Sequence, residues 1–132
     1  MYRLLLGTND LEASQRFYDA VLGALGIAPG QKLELGGSTR YLWEHHGMRL
    51  MVAHPRDGQP STHYNGFTLG LTAAAPEQVN AAVAAALAHG GTQIEDPTGW
   101  RERGGMRMYS AYVRDPAWHK LDRKSTRLNS SH

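Results

Sequence analysis

The chain has 132 residues, 41% of them apolar and 20% charged, with 14 lysines and arginines against 12 aspartates and glutamates. That length suits one domain with its own core, and no run of about 18 apolar residues offers a membrane span, nor does an apolar leader with a cleavage site open the chain. The absence of cysteine excludes disulfides, thiol nucleophiles and thiolate-held metals, and is compatible with the cytoplasm, where the protein is expected.

The first apolar run, Leu4-Leu5-Leu6, stops at Gly7 and reads as a buried strand. Asn9 followed three residues later by Glu12 has the spacing of a capping box and predicts a helix start. Phe17, Tyr18, Val21, Leu22 and Leu25 then recur on one helical face, and Gly26 closes the helix. Three runs of strand length come next at 32–35, 40–44 and 48–53, separated by Gly36-Gly37-Ser38 and His45-His46-Gly47 as hairpin turns. The polar stretch 55–65 reads as a linker.

From 66 onward the same plan is written again. A strand over 66–72 is followed by Pro76 in a first-turn position, and Val79, Ala82, Val83, Ala86 and Leu87 make one helical face that ends at His89-Gly90-Gly91. Strand material lies at 92–95, 107–114 and 118–121, with a long polar loop holding Trp100 over 96–105 and a turn at Asp115-Pro116. A repeat spanning half the chain predicts two similar β-α-β-β-β modules, each helix covering one face of its own strands. The fold class is thus α+β. Period-two alternation puts Leu4 and Leu6 on one face of the first strand, with Arg3 and Leu5 on the other. It likewise sets Phe67, Leu69 and Leu71 opposite Thr68, Gly70 and Thr72. The more polar faces are free to line a cleft.

The segments LGTNDLEASQRFYDAVLGALGI, DGQP, NGFTLGLTA, AHGG and AYVRDP followed by Lys120-Leu121 together resemble the vicinal-oxygen-chelate superfamily, the glyoxalase/bleomycin-resistance/dioxygenase-like proteins. The resemblance runs from Met1 to Leu121 and implies paired βαβββ modules whose curled mixed sheets enclose a cleft, with module 1 at about 1–56, a linker at 57–65 and module 2 at about 66–121. It also implies a small organic ligand and a homodimer. It does not settle the reaction, because members include glyoxalases, lyases, ring-cleaving dioxygenases and metal-free drug-binding proteins.

Members that use a divalent metal hold it with His, Gln or Glu from four strands. Here the resemblance sets Arg3, Met51 and Thr68 at three of those positions and Asp122 at or beside the fourth. Arg3 is a fixed cation and cannot ligate, and Thr68 is a weak donor, so no metal and no other cofactor is expected. His54 lies three residues beyond Met51. His45 and His46 fall in a turn, His63 in the linker, and His119 beside Trp118 where relatives usually carry Gly-Asn. The expected ligand-binding residues are Arg3, Leu5, Trp43, Met51, Thr68 and Tyr109: Arg3 as an anchor for an anionic oxygen, unless it is paired with Glu44 or Asp115, Thr68 as a hydroxyl donor, and the aromatic rings as walls. No catalytic residue stands out. The expected function is that of a metal-free small-molecule-binding protein. The alternatives are a glyoxalase/lyase- or dioxygenase-like metalloenzyme, whose chemistry would need the ion to polarise vicinal oxygens, and a drug-sequestering resistance protein.

Residues 122–132, DRKSTRLNSSH, match one reading frame of a common sequencing adapter and are expected to be a non-native tail that packs against nothing. Without this segment's Arg123, Lys124, Arg127 and Asp122 the chain balances at 11 basic and 11 acidic residues, so no nucleic-acid or anionic-membrane partner is expected.

Overall fold

The computed structural model describes residues 2–128, with side chains to Ser125. Strand β1 (Tyr2–Gly7) leads into helix α1 (Leu11–Ala24), then β2 (Gln31–Leu35), β3 (Ser38–His45) and β4 (Met48–Ala53). After the linker come β5 (Leu69–Thr72), α2 (Pro76–Ala88), β6 (Thr92–Gln93), β7 (Gly99–Arg103), β8 (Met106–Arg114) and β9 (Lys120–Leu128). The first sheet runs β1-β4-β3-β2; the second runs β5-β9-β8-β6, with β7 also on β8. In each, the strand before the helix pairs in parallel with the last strand of its module, β1 with β4 and β5 with β9, while the remaining pairs are antiparallel. The fold is the expected α+β repeat of two modules.

The start of α1 differs from the expected box. Asp10, in extended backbone, is the N-cap, and its Oδ1 accepts the N–H of Ala13 at 3.0 Å. Asn9 is instead used for the linker: its side chain accepts the Ser61 N–H at 2.6 Å and donates to the Ser61 carbonyl at 3.2 Å. Two neighbouring residues can both cap; the one whose backbone turns into the helix does so.

Helix α1 and the Ala82–Ala86 side of α2 share one core, while Val79 and Val83 of α2 pack with Ala73 and Ala111 in a second, smaller cluster. Leu6, Val52 and Trp43 of the first sheet, Phe17, Tyr18 and Val21 of α1, Ala82 and Ala86 of α2, and Val113 and Leu121 of the second sheet form a continuous buried cluster. The small side chains Ala82 and Ala86 let the helices approach closely. Gly91 has the same role: a Cβ there would lie 2.7 Å from the Ala86 carbonyl oxygen and 2.8 Å from the Phe17 ring. Across the module boundary, the buried Tyr18 hydroxyl donates to Asp115 Oδ2 at 2.5 Å, and Asp115 Oδ1 accepts the backbone N–H groups of Ala117 and His119. Burial pushes the Tyr18 phenol well above its ordinary range and raises the Asp115 carboxyl, the latter despite the donors around it.

Three expectations about module 2 are corrected. The polar loop at 96–105 contains a strand, β7, joined to β8 by Gly104-Gly105 at φ 55° and 80°. Its polarity hid it because it lies at the sheet margin, with the double glycine its one strand signal. The strand expected over 66–72 begins only at Leu69, leaving Thr68 just before it. And the segment expected to pack nowhere continues β9 to Leu128. Asp122, Arg123 and Lys124 lie opposite Gly70, Leu71 and Thr72 on one side and Tyr112, Ala111 and Ser110 on the other. An unpaired strand edge on each side supplies hydrogen-bond partners for any extended backbone, whatever its side chains. The remainder of the expected tail, 129–132, lies outside the described residues.

Candidate functional site

Alternation along the strands decides which side chains can meet. In the first sheet Arg3 stands beside Arg49 and Leu5 beside Met51, with Leu42 and Glu44 next across on β3. These residues share the face turned away from α1. Arg3 is exposed there and Leu5 is 48% exposed, whereas Met51 is buried. Neither expected partner holds Arg3: Glu44 pairs with Arg49 at 3.0 Å, and Asp115 is bonded to Tyr18. Among the described residues Arg3 has no ion pair.

Trp43 is on the opposite face. It is 2% exposed, tilted against the Tyr18 ring at 5.7 Å, and its indole N–H donates to Asp19 Oδ1 at 2.8 Å. The same oxygen accepts the Gly30 N–H at 2.8 Å, and a Cβ at Gly30 would come within 2.6 Å of the indole. Tyr109 also faces its helix, donating to Asn80 Oδ1 of α2 at 2.8 Å. The aromatic ring on the Gly70 face is Tyr112, whose register partner is Asp122, with Arg101 and Lys120 over its ring at 5.3 and 5.4 Å. Tyr109 and Tyr112 are three apart in one strand, so they cannot share a face. Thr68 is exposed. The six expected residues are therefore not brought together: Arg3, Leu5 and Met51 share one face of one sheet, while Trp43, Thr68 and Tyr109 lie apart from them.

A different set of residues encloses space. A cavity of about 310 Å³ opens between the modules, walled by Leu4, Trp43 and Leu50 of the first sheet and Leu69 and Leu71 of β5. Leu22 of α1, its C-cap Leu25 and Ile27 beyond close the end, while Glu44, His45 and Arg49 stand at its polar margin. The cavity thus lies on the helix side of the strands, not on the Arg3 side. It exists because β1 and β5 are edge strands that approach each other without pairing, so their helix-facing leucines meet across a gap. Gly70 and Thr72 border it from β5. Sequence reasoning missed Leu4, Leu50, Leu69 and Leu71 here because their alternation assigned them to a filled core.

No group of three or more His, Cys, Asp or Glu among the described residues could hold a metal ion. At the positions that the superfamily resemblance marks, the donor chemistry is a guanidinium, a thioether, a hydroxyl and one carboxylate, the last paired with Lys124 at 3.5 Å. This set does not fit a divalent ion that wants several nitrogen or carboxylate donors.

Comparison with known proteins agrees with this architecture. A family model described as a glyoxalase-like domain matches residues 3–122. A glyoxalase/bleomycin resistance protein from Albidiferax ferrireducens T118 is 42% identical with a TM-score of 0.87, the match covering 95% of this chain and 98% of that one. At the level of fold alone, the chain is similar to a glyoxalase/bleomycin resistance protein/dioxygenase family enzyme from Burkholderia phytofirmans PsJN (19% identity, TM-score 0.67, 93% and 95% covered). The same holds for a lactoylglutathione lyase from Agrobacterium tumefaciens (18%, 0.61, 95% and 92%). No curated protein matches the chain. With the repeat, the paired sheets and the family model agreeing over nearly its whole length, the chain belongs to the glyoxalase-like domain family of the vicinal-oxygen-chelate superfamily.

Proposed function

We propose that the protein binds a small, largely apolar organic molecule in the cleft between its modules, without a metal. The observation that carries this reading is the cavity of about 310 Å³ bounded by leucines of both modules and Trp43, at the lower end of the range for ligand pockets, about 300–1,000 Å³. Its polar margin at Glu44, His45 and Arg49 supplies the few oriented groups that fix a ligand's oxygen atoms. The donor set at the superfamily's metal positions supports the metal-free reading and weighs against glyoxalase, lyase or dioxygenase chemistry routed through an ion.

A second reading is favoured by the open face of the first sheet. Leu5 is 48% exposed beside Arg3, and a second copy of the chain seated there would cover it and turn Arg3, Leu5 and Met51 toward a shared cleft. In that homodimer Arg3 would hold an anionic oxygen through charge-assisted hydrogen bonds.

One experiment separates the two. Small-molecule hits are titrated calorimetrically into wild type, Thr72→Trp and Arg3→Met, with light scattering on each and with EDTA added in parallel. Thr72 is exposed at the cavity border, so the tryptophan plugs the entrance without disturbing the core. Loss of binding in Thr72→Trp alone supports the inter-module cavity. Loss in Arg3→Met alone, in a protein of twice the chain mass, transfers the site to the dimer. Binding abolished by EDTA and restored by a divalent metal overturns the metal-free reading.

A further inference from the structure

A second concavity, remote from the inter-module cavity, lies at the far end of the first sheet. It measures about 800 Å³ and is bordered by the tip of the β2–β3 hairpin, the first turn of α1 and the chain leaving β4. Its charged and titratable lining is Lys32, Arg40, His54 and Arg56, against the single carboxylate of Glu12. Among the described residues none of the three fixed cations, Lys32, Arg40 and Arg56, takes part in an ion pair, and Arg40 Nε is buried without a hydrogen-bond partner. With its 122–132 segment set aside, the chain has no net charge, so this excess of positive charge is local.

The geometry concentrates it further. The hairpin tip is Gly36-Gly37, both in the left-handed region at φ 58° and 79°, with open space where their side chains would be. Backbone there presents no steric barrier to a ligand. Leu11 and Glu12 bring the positive end of the α1 dipole to the same rim. His54 is fixed by its Nδ1 contact with the Thr8 carbonyl at 3.0 Å. An excess of one sign around a concave surface focuses the field and favours a multiply charged partner over a single counter-ion.

We propose that this groove binds a small polyanion carrying phosphoryl or carboxylate groups, held by Arg56 and Lys32. The Arg56 guanidinium binds either group through paired, charge-assisted hydrogen bonds, and the Lys32 ammonium adds a further charged donor.

The test uses the full chain with inorganic pyrophosphate and citrate as probes, followed by amide NMR shifts at low and moderate ionic strength. The expected result is saturable shifts confined to the Gly36–Gly37 turn, Glu12 and Arg56, with affinity falling as salt rises. The exposed-site variant Lys32→Gln/Arg56→Gln should weaken binding by about tenfold or more. The probe that binds more tightly identifies the recognised group. Shifts spread over other basic surfaces such as the β7–β8 hairpin, no saturable binding, or equal affinity in wild type and the double variant would overturn the proposal.

Discussion

The two modules share a plan but close their sheets with very different strands. In module 1 the closing strand is β4, which presents Leu50 and Val52 to the core. In module 2 it is β9, where the corresponding face carries Leu121, Arg123 and Ser125, all buried. Arg123 is fully buried, and none of its three guanidinium nitrogens has a hydrogen-bond partner among the described residues. Burial lowers its pKa to about 10, with Tyr18 and Asp122 opposing that shift only in part. The backbone of β9 satisfies the fold while its side chains violate it. Backbone pairing asks only for an extended chain between β5 and β8; the core asks for apolar atoms.

The largest expected effect removes that difference. Arg123→Leu should stabilise the protein by about 3 kcal/mol, because an uncompensated buried charge is replaced by a side chain like those of β4. Urea denaturation reads this as a higher midpoint with an unchanged slope. A destabilised Leu variant would show that the guanidinium has a partner in solution and that β9 is not the weak strand of the pair. The family-model match ends at Asp122, so this arginine lies just past the stretch that the family pattern covers.

The turns leading into the closing strands differ too. Module 1 uses His46-Gly47 at φ 51° and 80°, whereas module 2 places Trp118 at φ 75°. A bulky side chain in the left-handed region is strained. Trp118→Gly should therefore stabilise by about 1 kcal/mol, net of the lost stacking with Arg114, and thermal melting would register the gain. A drop in melting temperature would mean that the Trp118–Arg114 contact outweighs the strain.

The helix starts give a smaller contrast. Asp10 caps α1, while α2 begins at Ala75 with no side-chain cap. Asp10→Ala should cost about 1 kcal/mol and Ala75→Asp should gain a similar amount, each measured by chemical denaturation. Equal and negligible effects would remove the caps from the comparison.

The smallest effect is a pH dependence across the module boundary. Asp115 has a raised carboxyl pKa in the fold, above its ordinary value of 3.8. Between those two values the native state binds more protons than the unfolded chain. This group's contribution is therefore more favourable at low pH and declines as pH rises through the folded pKa. Relative to Asp115→Asn, wild type should gain stability as pH falls toward 3.8. A difference that runs the other way would mean that the Tyr18 and backbone donors outweigh burial.

Much of the fold was legible in the residues themselves. The one-face periodicity of Phe17, Tyr18, Val21 and Leu22 and the alternation of Leu69 and Leu71 reflect local geometry with a fixed period. So do the double-glycine turns and the repetition of one plan across the chain. The family was legible because its motifs fall in these same elements. The strand β7 was not, since an edge strand need bury neither face and keeps a polar composition. The candidate site was not legible either. Alternation correctly opposed Arg3 to Leu4 and Gly70 to Leu69. It could not say which of the two faces would border a cavity, because that depends on how two separately built sheets meet.

By itself the sequence determined two α+β modules, their helix faces, their turns and their family, all consequences of contacts within a few residues or of a fixed repeat. Only the tertiary structure decided that Trp43 and Tyr109 face the helices, that Leu4, Leu50, Leu69 and Leu71 border a cavity as well as packing on the core, and that Arg123 enters the core. Those outcomes depend on the relative placement of surfaces distant in the chain, where sheet edges and shared helices set the distances and no local period records them.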